Sequence, residues 1–161
     1  MTGTSQTVLG GYLAGLLGQA GFKAEGDDFL ASYTAMQAQY VIIPESIDVT
    51  TGRPRGVRTG LRPEFADACL NLWREDRDER YRALTAIHYR NMKATSKAAY
   101  GYTSLADITT RPMTQGDNCP GYWWSEQMKY YWLMFAQPRR IDLNRMVLST
   151  EANVLRGFVR G

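Results

Sequence analysis

The sequence is poor in the residues that most often announce chemistry. Its 161 residues hold one histidine, His88, and two cysteines, Cys69 and Cys119. With a single histidine, no Ser/His/Asp or Cys/His relay can be argued. His88 falls on the apolar stripe of a helical segment and reads as a core residue. The cysteines lack metal-ligand spacing. Free thiols are the favoured reading, with a bridge as the alternative, because Cys69 falls on a core-facing helix position. No apolar run reaches membrane-spanning length, and the N-terminus MTGTSQTVLGG has no basic region ahead of an apolar one. Charge of one sign is scarce too. Nineteen basic residues nearly balance sixteen acidic ones, so a net charge of +3 gives no reason to expect a nucleic-acid partner.

What is present suits one helical domain. A hydrophobic content of 44% over this length can bury one sizeable core. Aromatics at 12% suit a carbohydrate site, and equally a packed helical core. Apolar residues recur at helical spacing in five segments. The first is Val8, Leu9, Tyr12, Leu13, Leu16 and Leu17, stopped at Gly21. The second is Phe29, Leu30, Tyr33, Met36 and Tyr40, with Asp27 or Asp28 as its cap and Pro44 closing it. The third follows Leu61-Arg62-Pro63-Glu64 and runs through Phe65, Ala68, Cys69, Leu72 and Trp73. Tyr81, Leu84, His88 and Met92 mark the fourth. The fifth is Trp124, Met128, Tyr131, Trp132 and Phe135, stopped by Pro138. Trp73 and Trp132 read as core by this periodicity, and Trp123 and Trp124 divide evenly between core and sugar stacking. Two connections read as loop, Ser46 to Gly60 and Tyr100 to Thr114. Arg53, Arg55, Arg58 and Arg62 gather near the first, as a solvated basic loop rather than an anion site. Strand patterning is confined to short pieces near Val147. The fold class is therefore all-α, built of antiparallel helix pairs.

The acids are placed suggestively. Glu45, Glu64, Glu126 and Glu151 each lie next to a helix end or the closing turn, and Asp67 lies one turn into its helix. If helix pairs stack about an axis, every second connection falls at the same end, and these carboxyls converge. Convergent acids suit hydrolysis of a glycosidic bond, which needs a protonated acid and a base that activates water. They also suit a hard, oxygen-loving cation. On spacing alone, the plainer reading is that first-turn acids complement helix dipoles.

Motifs shift that balance. Ser125-Glu126, Lys129-Tyr130, Trp132-Leu133-Met134-Phe135 and, after a loop, Thr150-Glu151-Ala152 stand in the order found at the C-terminal end of glycoside hydrolase family 47, the class I α-1,2-mannosidases. Upstream, Leu61-Arg62-Pro63-Glu64, the later Tyr81-Arg82 and Pro44-Glu45 resemble further family motifs. The resemblance runs from about Val8 to Leu155 and is loose before Tyr40. It implies a Ca²⁺-dependent inverting α-1,2-mannosidase acting on high-mannose N-glycans, on an α/α barrel of about seven helix pairs. This chain would form roughly the final third, residues 1–161 as a single region. Glu64 resembles the catalytic base and Arg62 a substrate-contacting arginine. Glu45, Asp67 and Glu126 correspond to acids around the mannose and the metal's water shell. Tyr122 corresponds to an aromatic against the sugar. Thr150 corresponds to the threonine that binds Ca²⁺, with Glu151 alongside.

Departures from the pattern are specific. Asp67 is one methylene shorter than the family's acid. Pro120-Gly121 replaces Glu-Ser, and Asn153 replaces a histidine. Val8 stands for another histidine and a glycine for a cysteine, so the family disulfide is expected to be absent. The resemblance also places the general acid in a preceding part of the barrel, which implies that the chain starts partway through the domain, turns over little alone, and exposes helix faces meant to be covered. Partners implied are a mannose-containing oligosaccharide or glycoprotein and the remaining barrel. The implied location is the secretory pathway or outside the cell. Two other readings stand beside this one: a non-catalytic mannoside-binding helical module, and a plain helical scaffold.

Overall fold

Small residues, not leucines, decide how the chain begins to pack. The computed structural model describes residues 4–136 and 141–156. Strand β1 (Ser5–Thr7) leads through a 3₁₀ turn at Val8–Tyr12 into α1 (Leu13–Gln19). The leucine stripe expected to be buried is not. Leu9, Tyr12 and Leu16 are 49%, 43% and 49% exposed, while Val8, Gly11, Ala14, Gly15 and Gly18 are buried. The cause is the closeness of the neighbours. A Cβ on Gly15 would lie 3.0 Å from the Ala68 Cα, and one on Gly18 2.7 Å from Leu72 Cδ2. Only glycine and alanine let the backbones approach so far, and they turn the leucines outward.

Gly21, at φ +90°, ends this segment, and α2 (Lys23–Tyr40) follows. Neither Asp27 nor Asp28 caps α2, because the helix starts four residues before Asp27. Instead the Asp27 carboxylate, inside α2, accepts from Lys23 at 2.9 Å, Arg80 at 2.5 Å and the Tyr81 hydroxyl at 2.5 Å. The helix also ends at Tyr40, earlier than Pro44, with Val41 at φ +70°. The next connection is not wholly loop: β2 (Ser46–Asp48) pairs antiparallel with β1. Arg53, Arg55 and Arg58 are exposed as expected, with Arg55 paired to Asp48 across the surface, whereas Arg62 is half-buried and paired to Glu45.

Helix α3 (Glu64–Asp76) is the hub. It buries Phe65, Ala66, Ala68, Cys69, Leu70 and Leu72, and packs against α1, α2 and the helices that follow it. Arg77, in the left-handed region at φ 60°, closes it. Helix α4 (Glu79–Ser96) starts at once, its N-cap Asp78 accepting from the Arg80 amide at 2.9 Å. So short a link makes α3 and α4 an antiparallel pair. His88 is buried between them and the last helix, its Nδ1 2.9 Å from the Tyr131 hydroxyl.

The stretch read as loop after Tyr100 carries strands. Residues Lys97–Ala98 (β3) and Gly101–Tyr102 (β4) form one hairpin, Leu105–Asp107 (β5) and Thr114–Gln115 (β6) another. Two- and three-residue strands are too short for alternation to reveal. A single π turn at Trp123–Gln127 then precedes α5 (Met128–Phe135). The π turn holds an extra residue, which rotates the helix relative to the expected stripe. Trp123, Tyr130, Tyr131 and Met134 are buried, whereas Trp124, Trp132 and Phe135 are 56%, 43% and 42% exposed. Trp132 is therefore not core, and Trp73 is only half-buried, with Arg77 stacked 4.2 Å above its ring. Trp123 takes the core position, its ring 4.6 Å from that of Tyr102. Pro138 lies outside the described residues. Finally β7 (Met146–Leu148) and β8 (Val154–Arg156) make a hairpin closed by residues 149–153. Both cysteines are free, Cys69 buried and Cys119 exposed. Among the described residues no helix is long and apolar enough to cross a membrane.

Candidate active site

One end of the helix assembly holds a cavity of about 350 Å³. The 3₁₀ turn contributes Leu9 and Tyr12 to its wall. Arg62, Pro63, Glu64 and Asp67 come from the start of α3, Tyr122, Glu126 and Tyr130 from the approach to α5 and its first turns, and Thr150 and Glu151 from the hairpin closure. Of the eight residues singled out in the sequence, seven therefore meet in one place. The eighth, Glu45, stands behind the wall. Its carboxylate accepts from Arg62 Nε at 3.0 and 3.1 Å and from the Gly60 amide at 2.6 Å. Glu45 thus fixes the guanidinium, which also lies 5.3 Å from the Tyr122 ring centroid. Gly60 is needed for this closeness: a Cβ there would sit 2.7 Å from the Tyr122 hydroxyl.

The local sequence explains the placement of each group. Pro63 can sit at a helix start because its missing N–H costs nothing there, so Glu64 opens the first turn of α3. Asp67, one turn on, falls on the same face. Its carboxylate accepts from the Asn71 amide at 3.0 Å, and Asn71 in turn accepts from Arg74 at 3.4 Å. Arg74 donates to the carbonyls of Leu143 and Met146, so a row of polar side chains along α3 ties the cavity to the C-terminal hairpin. Gly11 brings the 3₁₀ turn against Glu64, where a Cβ would lie 3.5 Å from the glutamate's own.

Crowding of carboxyls dominates the electrostatics. Burial lifts Asp67 to about 7, with the Asn71 hydrogen bond opposing and Glu64 adding to the rise. Burial, then the Glu151 carboxylate, lifts Glu126 to about 7. Burial also pushes Glu64 upward, against a backbone hydrogen bond and the charge of Arg62. One oxygen of Glu64, Oε2, is buried with no hydrogen-bond partner. Acids this close cannot all ionise without a compensating cation or ligand donors. The arrangement can therefore hold hydroxyl groups, exchange protons near neutrality, and welcome a hard cation.

Sequence reasoning missed Leu9, Tyr12 and Tyr130 as cavity residues. Tyr130 was accessible to it, since it follows Glu126 by four residues and shares that face. Leu9 and Tyr12 were read as core because the small-residue packing of α1 cannot be inferred from an apolar stripe. Among the described residues no group of three or more His, Cys, Asp or Glu side chains is arranged to hold a metal ion directly. A cation at this end would need hydroxyl, carbonyl or water oxygens as well as carboxylates. Glu64, Asp67, Glu126, Thr150 and Glu151 offer oxygens that fit such an ion, beside the opposing charge of Arg62.

Comparison with known proteins adds three findings. The model of glycosyl hydrolase family 47 matches residues 8–157. A mannosyl-oligosaccharide 1,2-alpha-mannosidase of Arabidopsis thaliana is 34% identical over 96 residues, 59% of this chain and 15% of that protein. One of Candida albicans is 31% identical over 101 residues, 57% and 18% respectively. The solved structure of an alpha-1,2-mannosidase from Trichoderma reesei superposes with a TM-score of 0.80 at 22% identity, covering 97% of this chain and 40% of that one. The fold is accordingly that of helix pairs of an α/α barrel. The match spans less than a fifth of each of these two curated relatives.

Proposed function

Since the chain belongs to glycosyl hydrolase family 47, we propose that it forms the C-terminal third of the catalytic domain of a Ca²⁺-dependent, inverting α-1,2-mannosidase. Its substrate would be terminal mannose of high-mannose N-glycans, met in the secretory pathway or outside the cell. One observation carries the reading. Glu64, Arg62, Asp67, Tyr122, Glu126, Thr150 and Glu151 line a single cavity, although they come from three separate parts of the chain.

The residues divide the work as follows. Glu64 acts as the base that takes a proton from the attacking water. Its buried, partnerless Oε2 is free to accept that proton, and burial strengthens it as a base. Arg62, held by Glu45, donates to sugar oxygens and keeps a positive charge beside Glu64. Tyr122 presents an aromatic face to the ring. Asp67 and Glu126 accept from hydroxyls and from ordered water. Thr150 would hold the cation through its carbonyl and hydroxyl oxygens, with Glu151 supporting it. When bound, Ca²⁺ would orient mannose hydroxyls and offset the cavity's negative charge. The acid that protonates the leaving oxygen is supplied by residues other than these.

The test is calorimetric titration of α-1,2-mannobiose into the chain, with Ca²⁺ and with chelator. Calcium-dependent binding is expected, with slow turnover at most. Glu64→Gln should abolish that turnover and leave binding in place. Absence of binding in saturating Ca²⁺ would overturn the proposal. Binding with no turnover in any context that supplies the general acid would favour the non-catalytic mannoside-binding module.

A further inference from the structure

The hairpin closure that carries Thr150 and Glu151 is held by a cation from another element. Lys129, the second residue of α5, donates from Nζ to the carbonyl oxygen of Ala152 at 2.6 Å. Within the closure, the Ala152 amide donates to the Ser149 carbonyl at 2.9 Å, and the Ser149 amide to that of Asn153 at 3.0 Å. The Asn153 amide donates to the Ser149 hydroxyl at 3.1 Å. Ala152 is fully buried and sits at φ 53°, a left-handed conformation that costs a non-glycine residue backbone energy. Such a conformation persists only where surrounding contacts over-determine it. Ala152 is packed into the hydrophobic core, and the short hydrogen bond from Lys129 adds a polar contact from outside the turn.

We infer that Lys129 is a positioning residue: its ammonium, on Ala152's carbonyl, presets the 149–153 turn so that Thr150 and Glu151 face the cavity before any ligand arrives. Thr150 and Glu151 themselves are exposed, and their neighbours within the turn supply only local hydrogen bonds. Besides this bond, the turn reaches the far wall of the cavity through the Glu151 side chain, which hydrogen-bonds Glu126 of the π turn and can do so only while one of the two carboxyls is protonated. The inference deepens the functional reading above, yet its first readout does not depend on it.

The experiment compares amide hydrogen exchange and calcium response in wild type, Lys129→Met and Lys129→Arg, with the exposed Lys93→Met as control. A charge-assisted hydrogen bond lost from one anchor should speed exchange of the hydrogen-bonded Ser149, Ala152 and Asn153 amides by about tenfold or more, leaving the α3 and α4 amides unchanged. The rise in melting temperature with Ca²⁺ should shrink in Lys129→Met, and Lys129→Arg should restore much of both effects because it keeps the donor and charge. Unchanged exchange at those three amides in Lys129→Met would overturn the inference, as would acceleration spread evenly over α3, α4 and α5. A wild-type chain blind to Ca²⁺ would sink the metal reading of the cavity alone, since the exchange comparison needs no metal.

Discussion

Gly26→Ala should destabilise this protein, against the ordinary expectation for a helix interior. Gly26 lies within α2, where alanine normally adds about 1 kcal/mol through helix propensity. Here a Cβ would lie 2.6 Å from the Ala14 carbonyl oxygen, 3.3 Å from the Gly18 amide nitrogen and 3.3 Å from Leu72 Cδ2. The first two contacts are backbone, so they can be relieved only by moving α1 away from α2. Overpacking of a tight interior costs about 1–3 kcal/mol, and a backbone clash belongs at the upper end. Subtracting the propensity gain leaves a net loss of about 2 kcal/mol. For a chain of this size that lowers the melting temperature by about 4–8 °C. Gly56, with nothing within 4 Å of an added Cβ, is the control, and Gly56→Ala should stay within about 0.5 kcal/mol of wild type. Thermal unfolding followed by far-ultraviolet circular dichroism measures both. A Gly26→Ala variant that melts higher than wild type would refute the close packing of α1 on α2, and with it the outward turn of Leu9 and Tyr12 into the cavity wall.

Two further predictions concern pH and have opposite signs. Burial lowers His88 to about 3, below its unfolded value. Its stabilising contribution is therefore complete above about pH 6.5 and is lost as pH falls toward 3, at about 1.4 kcal/mol per unit. Between pH 7 and pH 5 the wild type should lose more melting temperature than His88→Gln, and equal losses would contradict the buried, neutral imidazole. Asp67 behaves in reverse. Its folded value of about 7 lies above its unfolded one, so its contribution is complete below about pH 4 and is lost as pH rises through 7. At pH 7.5 without Ca²⁺, Asp67→Asn should be more stable than wild type by up to about 4 kcal/mol and melt at a higher temperature. A lower melting temperature for Asp67→Asn at that pH would show that the carboxylate is already compensated.

The sequence made the hub legible and the edges less so. Phe65, Ala68, Cys69 and Leu72 repeat at three and four, and α3 buries them all, because an isolated amphipathic stripe has one way to meet a core. The acids converged where helix-end placement and motif spacing put them. What could not be read was set by packing partners. The α1 leucines face outward because glycine-mediated contact with α2 and α3 is the tighter option, and only the partner backbones reveal that. The α5 stripe slipped because a π turn at Trp123–Gln127 inserts a residue, a local choice that periodicity averages away. Asp27 resembled a cap and became an internal ion-pair centre because Lys23, Arg80 and Tyr81 reach it from two helices. The helix end and the Pro44-Glu45 motif put Glu45 among the pocket acids, yet it stands one layer behind the wall, paired to Arg62.

The central claim is that the Thr150 turn and its surrounding acids form a calcium and mannose site in this chain. A thermal melt with Ca²⁺ and with chelator, each with and without a mannose-mimicking iminosugar, tests it most directly. A ligand that binds only the folded state raises the melting temperature by mass action, by about 2.7 kcal/mol at a hundredfold excess over its dissociation constant. The account predicts a rise with Ca²⁺ that the iminosugar enlarges, and no iminosugar response in chelator. A cooperative melt unmoved by either ligand would contradict it.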